Sequence, residues 1–308
     1  MKLVFMGTPA YSVKTLEALI EAGHEIAAVF AQPDKPVGRK HLITQPPVKV
    51  CALQHGIPVY QPVTLKNGEA AEILREIAPE MIVVTAYGKL LPKEVLELPR
   101  YGCVNGHASL LPAYRGASPI QWCIVNGEQK TGVTTMLMDE GMDTGDILET
   151  AETPIGENET ADELFERLSV ISAELTVKTV ADLAAGTVCP KKQPAEGVSY
   201  APIIQKEMAL LDFSAWDAEE IRNRVRGFYS WPIAYFFFEG KRVKVLSSRL
   251  AENTAAPAGT VTESGDRLII ACKGGTAVEL QTVQPEGSKP MSAKQMLCGR
   301  PIPVGTVI

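Results

Sequence analysis

The sequence predicts an α/β protein in two parts, an open, mostly parallel, Rossmann-like sheet domain followed by a small β-barrel domain. Three observations predict it. Short continuous apolar runs alternate with helically spaced apolar residues through the first part of the chain, which implies βαβ units and a buried parallel sheet. The stretch Gly186–Val198 then shifts to Gly, Pro and Lys, the composition of a connector. Beyond it, apolar runs alternate with turn residues, the pattern of a small barrel of about five or six strands.

The elements follow in order. Lys2–Gly7 is a short apolar strand ending in glycine, and Val13, Leu16, Leu19 and Ile20 recur at helical spacing up to Gly23. Glu25–Gln32 is a second strand, the stretch around Pro47–Leu53 a second helix and Pro58–Tyr60 a short third strand. Glu69–Ile77 reads as a helix, Met81–Ala86 as a fully buried strand and Thr160–Ala185 as a long helix. In the second part the strand-like runs are Trp231–Phe238, Arg242–Leu246, Gly259–Val261, Leu268–Ala271 and Ala277–Val283. The implied division is residues 1–189, a connector at 190–203, and 204–308.

The 308 residues suffice for two cores, and 45% hydrophobic with 21% charged content is that of an ordinary globular protein. No run approaches the ~20 apolar residues of a membrane span, and the apolar start is too short for a signal peptide, so a cytoplasmic protein is expected. The six cysteines form no CxxC pair and none stands at metal-ligand spacing with a histidine, so free buried thiols are expected and no metal site. Charge is uneven: residues 1–189 carry 15 Lys and Arg against 24 Asp and Glu, net −9, and residues 190–308 carry 15 against 12, net +3. That asymmetry suits a small-molecule site joined to a module that touches a polyanion, and equally an ordinary difference between two domains.

The first strand leads into Gly7-Thr-Pro-Ala-Tyr-Ser12, where Pro9 and Tyr11 occupy positions that a dinucleotide-binding loop fills with glycine. No GxxxxGK[ST] phosphate loop occurs either. Polar chemistry concentrates instead in Val104–Gly116, which follows a strand-like start, and strand carboxyl ends are where open α/β sheets place ligands. Asn105 and His107, two apart on a strand, project to one face. An amide that stabilises an oxyanion beside an imidazole that moves protons suits acyl transfer; the plainer reading is a pair that satisfies backbone groups of a turn. The loop Met138–Asp146 carries carboxylates at 139, 140, 143 and 146, a spacing unlike that of calcium loops, and any one of them can orient His107.

These residues carry a family resemblance. Asn105-x-His107-x-Ser109-Leu-Leu-Pro112-x-Tyr-Arg-Gly116 and Met142-Asp143-Thr-Gly-Asp146 resemble the signature of the 10-formyltetrahydrofolate-dependent formyltransferases. Phe5–Pro9, Gln32–Arg39, Ala86–Pro92 and Gly227–Pro232 extend the resemblance over the whole chain, in the branch that acts on methionyl-tRNA. The resemblance implies that the second domain is OB-like and binds tRNA. It implies a catalytic trio of Asn105, His107 and Asp143, in which Asn105 donates to the oxyanion, His107 shuttles a proton and Asp143 orients the ring. It implies folate contacts at Ser109, Leu110, Leu111 and Pro112, with Tyr87, Gly88, Leu90, Leu91, Asp139, Glu140 and Gly141 lining the pterin pocket. The loop Asp34–Pro46 is similar to an insertion that reaches the tRNA acceptor end, with Arg39 and Lys40 as contacts, joined by Lys206 and Arg222 of the second domain.

The activity implied is formyl transfer from 10-formyltetrahydrofolate to the α-amine of methionyl initiator tRNA, for translation initiation, by a metal-free monomer. Two alternatives are a sugar-nucleotide N-formyltransferase, which shares the trio, and a non-catalytic tRNA-binding adaptor. Gly106 departs from the family pattern, which generally has a larger apolar residue there, and glycine is expected to loosen the strand.

Overall fold

The computed structural model describes residues 1–37 and 42–308, so Arg39 and Lys40 lie outside the described residues. The chain divides into two compact units, one of residues 1–119, 130–154 and 165–201, the other of residues 120–129, 155–164 and 202–308.

The first unit contains β1 (Lys2–Gly7), α1 (Ala10–Glu21), β2 (Glu25–Phe30), β3 (Lys35–Val37), β4 (Leu42–Thr44), α2 (Pro47–Gln54) and β5 (Val59–Tyr60). After these come α3 (Glu69–Ile77), β6 (Met81–Thr85), α4 (Lys93–Leu96), β7 (Cys103–His107) and β8 (Arg115–Gly116). After α5 (Pro119–Val125), which from Ile120 on belongs to the second unit, the first unit continues with β9 (Lys130–Leu137), β10 (Asp146–Pro154), α6 (Ala161–Ala185) from Phe165 on, and β11 (Tyr200–Ala201). Seven strands make one sheet in the order β10-β9-β7-β6-β1-β2-β5. Pairings from β7 to β5 are parallel, and β9 and β10 add antiparallel.

Strand alternation explains why the apolar runs are continuous. Leu3, Phe5, Met81 and Val83 point into one core with Leu16, Leu19 and Val180, while Val4, Met6, Ile82 and Val84 point into another with Ala70, Leu74 and Val95. Both sheet faces are covered, so the central strands β1 and β6 are apolar at successive positions, Leu3–Met6 and Met81–Val84. The strand order reverses at β1, between β6 and β2, and ligands of open α/β sheets bind outside the strand ends at such a point. Residues 190–201, a connector by composition, are hydrogen-bonded within this unit. Lys191 and Ile147 exchange backbone bonds at 2.7 and 2.8 Å, and β11 pairs with β8.

The second unit holds α7 (Ala218–Gly227), β12 (Tyr235–Phe238), β13 (Lys241–Ala251), β14 (Val261–Ser264), β15 (Leu268–Ala271), β16 (Ala277–Pro285), β17 (Met291–Ser292) and α8 (Ala293–Gly299). Its strands form a curled antiparallel half-barrel in the order β12-β13-β16-β15-β14, with β17 on β16. Its core joins Ile221 and Val225 of α7, Met296 and Leu297 of α8 and Val243, Ile270 and Val278 of the sheet. The apolar run Trp231–Phe238 is a strand only from Tyr235, because Ile233 has φ +69° and turns the chain before it. All six cysteines are free thiols; four are buried as expected, but Cys189 and Cys298 are exposed. Among the described residues no helix is long and apolar enough to cross a membrane.

Candidate active site

The ends of β1, β2 and β6 bring the first group of polar residues together. Thr8 Oγ1, just after β1, donates to the Tyr87 carbonyl at 3.1 Å, and Gln32 Nε2, just after β2, donates to the same oxygen at 3.0 Å. Tyr87 itself points inward. Its ring is buried in the core with Met6, Phe30 and Leu91, and burial pushes its phenol up to about 12. The segment expected to line a pocket therefore splits: Tyr87 and Leu91 anchor it, while Gly88 and Leu90 are exposed.

β7 carries the central pair. Asn105 and His107 are 9% and 7% exposed, on the strand that pairs with β6 on one side and β9 on the other. His107 Nε2 is 2.9 Å from the Tyr114 carbonyl oxygen, and Nδ1 is 3.7 Å from Asp143 Oδ2. A carbonyl only accepts, so Nε2 carries the hydrogen and, in the neutral ring, the lone pair is on Nδ1, facing Asp143. The ring is thus oriented by a backbone carbonyl, with the carboxylate close enough to stabilise the imidazolium when Nδ1 takes up a proton. The sequence expectation gives the orienting role to Asp143, and the Tyr114 carbonyl is a second partner of the ring beside it.

Of the four carboxylates in the loop after β9, the fold selects Asp143. Its Oδ2 accepts from the Gly116 N–H at 2.7 Å, and its backbone takes φ +54°, which turns the side chain back toward β7. Asp139 is exposed and caps its own loop, accepting from the Gly141 N–H at 3.0 Å and from Thr144 Oγ1 at 2.6 Å. Glu140 and Gly141 are exposed beside it. The segment after His107 is held rigidly: Ser109 Oγ donates to the Ala113 carbonyl at 2.6 Å, and Thr134 Oγ1 donates to the Ser109 carbonyl at 2.7 Å while accepting from the Leu111 N–H at 3.1 Å. Leu111 is buried, and Leu110 and Pro112 are partly exposed.

Gly106, between the pair, is buried and faces the opposite side of the sheet. A β-carbon there would lie 3.0 Å from Ser172 Oγ and 3.2 Å from Thr176 Oγ1 of α6. The missing side chain lets the helix approach the strand, so the glycine is packed and not loose.

The remaining expected contacts separate. Lys206 is exposed. Arg222 is not: its side chain is 12% exposed and paired with Glu219 at 2.7 Å and Glu157 at 3.2 Å. Tyr114, Gly116 and Gln193 hydrogen-bond His107 or Asp143 and are not singled out by the sequence. The first two act through backbone atoms, which no side-chain pattern reveals, although both stand inside the Asn105–Gly116 signature.

Comparison with known proteins identifies the family of the chain. The formyl transferase family model matches residues 1–180, and the model of the formyl transferase C-terminal domain matches residues 203–301. The methionyl-tRNA formyltransferase of Citrifermentans bemidjiense is 46% identical over 308 residues, covering 100% of this chain and 96% of that protein. The one from Caldanaerobacter subterraneus is 46% identical, covering 100% of both. The chain belongs to the formyl transferase family, in its methionyl-tRNA formyltransferase branch. Solved structures share the formyltransferase fold at lower identity. WlaRD, a sugar 3N-formyl transferase solved with dTDP and 5-N-formyl-THF, has a TM-score of 0.69 at 21% identity, over 94% of this chain and 99% of its own. HypX from Aquifex aeolicus, solved with tetrahydrofolic acid, has a TM-score of 0.64 at 17% identity; it matches 96% of this chain, which spans only 47% of HypX.

Proposed function

We propose that this formyltransferase moves the formyl group of 10-formyltetrahydrofolate to the α-amine of methionine carried on initiator tRNA. The observation that carries the reading is the His107–Asp143 pair, 3.7 Å apart beside Asn105 at the end of β7, in a chain 46% identical over its full length to methionyl-tRNA formyltransferases. An α-amine has a pKa near ~7.7–8.0, so a useful fraction is neutral near neutral pH and the protein need only orient it and manage protons.

In this reading the Asn105 amide donates to the negative charge that develops on the formyl oxygen as the amine attacks. His107 takes the amine proton at Nδ1 and passes it toward the departing nitrogen, with Asp143 stabilising the imidazolium in between. The folate donor supplies the activated one-carbon unit. Gly88 and Leu90 are exposed and Leu110 and Pro112 partly so, which leaves them open to a flat heterocycle while the Tyr87, Ser109 and Leu111 side chains are buried, and the exposed loop Asp139–Gly141 offers backbone and carboxylate partners. In the second unit, Lys206 is an exposed cation for phosphate, and Arg39 and Lys40 are assigned the same role in the first.

The test is formyl incorporation into methionyl initiator tRNA, run beside a formylatable amino-sugar nucleotide and with a His107→Ala variant. Formylated tRNA that is lost in the variant supports the reading. Formylated sugar with untouched tRNA replaces the acceptor, and tRNA binding with no transfer to either overturns the enzyme in favour of an adaptor.

A further inference from the structure

Two residues of the candidate site have backbones in the left-handed region that side chains disfavour, Tyr114 at φ +59° and Asp143 at φ +54°. They are the two partners of the His107 ring: Tyr114 supplies the carbonyl at Nε2 and Asp143 the carboxylate at Nδ1. Such conformations are disfavoured for residues with a side chain and persist only where the surroundings over-determine them. One short stretch, residues 190–201, which composition marks only as a connector, bonds to both Tyr114 and Asp143.

Gln193 is the node. It is partly buried in a run of exposed neighbours. Its Nε2 donates to the Asp143 carbonyl and to the Gly145 carbonyl, both at 2.8 Å, and its Oε1 accepts from Arg115 Nε at 3.1 Å and Arg115 Nη2 at 2.6 Å. One amide therefore ties the strained backbone of the Asp143 loop to the strand that follows Tyr114. Ser199 completes the strap: its Oγ accepts from the Tyr114 N–H at 2.9 Å, and its carbonyl accepts from the Arg115 N–H at 2.9 Å. β11 then pairs with β8, opposing Ala201 to Gly116, whose N–H holds the Asp143 carboxylate at 2.7 Å. Gly116 has φ +120°, and a β-carbon there would lie 2.7 Å from the Ala201 carbonyl oxygen, so the strap and the turn are fitted at the backbone level.

We infer that Gln193, supported by Ser199, is a positioning residue for the proposed transfer. It fixes the Asp143 loop and the Tyr114–Gly116 turn relative to each other, and through them both ring nitrogens of His107. Its own hydrogen bonds run to Arg115, Asp143 and Gly145 and not to the His107 ring. Both halves of its amide are needed, the oxygen for Arg115 and the NH2 group for the two carbonyls, so no other side chain of that length replaces it. The inference rests on the proposed function for its kinetic consequence but not for its structural one.

The experiment compares full-length wild type with Gln193→Ala, Gln193→Glu and Ser199→Ala, all checked for native circular dichroism. Two readouts are taken: kinetics of formyl transfer, and NMR signals of the His107 ring and the Gly116 amide. The expected result for Gln193→Ala is a kcat about tenfold or more lower with KM for donor and acceptor within twofold, as misplacement at a reacting centre gives. The His107 ring signals shift, and the Gly116 amide exchanges with solvent at least tenfold faster. Gln193→Glu keeps the Arg115 contacts but loses both donated bonds, so it is impaired with an intact fold; should the alanine variant fail to fold, this variant and Ser199→Ala decide. Unchanged ring signals and a kcat within twofold overturn the inference, as does a loss confined to KM. Wild type that transfers no formyl group sinks the functional reading instead, and the NMR comparison still judges Gln193.

Discussion

The carboxylate of Asp143 lies 3.7 Å from Nδ1 of His107, beyond hydrogen-bond reach but within ion-pair distance, while the Gly116 N–H holds the same oxygen at 2.7 Å. The charge and the loop-closing bond of one side chain can therefore be separated. Asp143→Asn keeps an oxygen that accepts from Gly116 and removes the charge that favours an imidazolium; Asp143→Ala removes both. Proton transfer by a positioned side chain contributes ~10²–10⁴ in rate, so Asp143→Asn is expected to lower kcat about 10²-fold with KM nearly unchanged. Asp143→Ala should lower kcat further and raise the KM of the folate donor as the loop relaxes. Steady-state kinetics on both variants check this, and an Asp143→Asn enzyme with near-native kcat would show that the charge is not used.

Asn105 shares its face of β7 with His107 and is 9% exposed, so its amide works in a site poor in water. A preorganised donor in such a place is worth ~10²–10³ in kcat. Asn105→Ala should lose that much while the chain melts within a few degrees of wild type, as measured by single-turnover formyl transfer and thermal denaturation.

Gly106 gives the opposite kind of prediction, because its variants act on packing. An isoleucine there would push its β-carbon to within 3.0 Å of Ser172 Oγ and 3.2 Å of Thr176 Oγ1, both on buried residues. Overpacking of this kind costs ~1–3 kcal/mol. Urea denaturation of Gly106→Ile should show a loss in that range, and Ser172→Ala in the same background should return part of it. Equal midpoints for wild type and Gly106→Ile would mean that the helix is free to move away.

What the sequence reveals and what it hides follow one rule. The sheet of the first unit is legible because both of its faces are buried, which makes β1 and β6 unbroken apolar runs. The Asn105–His107 pair is legible because strand geometry fixes i and i+2 on one face. Asp143 cannot be singled out from Asp139, Glu140 and Asp146 by spacing, since its selection depends on a left-handed backbone and a bond from Gly116. Gln193 acts across 50 residues of sequence on backbone carbonyls, and nothing local marks it. The helices α7 and α8 do have local signals: Asp217 with Glu220, and Ser292 with Gln295, form capping boxes at their starts.

Asp34 stands at the foot of the β3–β4 hairpin and is held by Lys49 at 2.9 Å and by Gln61 Nε2 at 2.7 Å. These hydrogen bonds, that from Lys49 first, hold its carboxyl below the ordinary aspartate value of 3.8. A depressed folded pKa contributes stability that is present above the unfolded value and is lost as pH falls through the folded one. The clamp should therefore hold at pH 4 and release only at lower pH. A carbon-detected NMR titration of Asp34 should give a midpoint below 3.8 that rises in Lys49→Ala; a midpoint at or above 3.8 in wild type would contradict the clamp.

The basic residues of the second unit divide by what already holds them. Arg222 is 12% exposed with two carboxylate partners, and Arg224 lies 3.7 Å over the Trp216 ring, so neither is spare for phosphate. Lys206 is exposed. Each phosphate contact adds about 0.7–0.9 to the slope of log affinity against log salt. Lys206→Ala should therefore weaken tRNA binding and flatten that slope by nearly one, with thermal stability unchanged. Arg222→Ala should leave the slope as it is and lower the melting temperature, because the arginine side chain is itself only 12% exposed and its packing is lost with it. Fluorescence titrations between ~50 and 200 mM salt on both variants decide the matter. A flattened slope in Arg222→Ala would mean that the ion pairs open when RNA arrives and that the arginine changes partners.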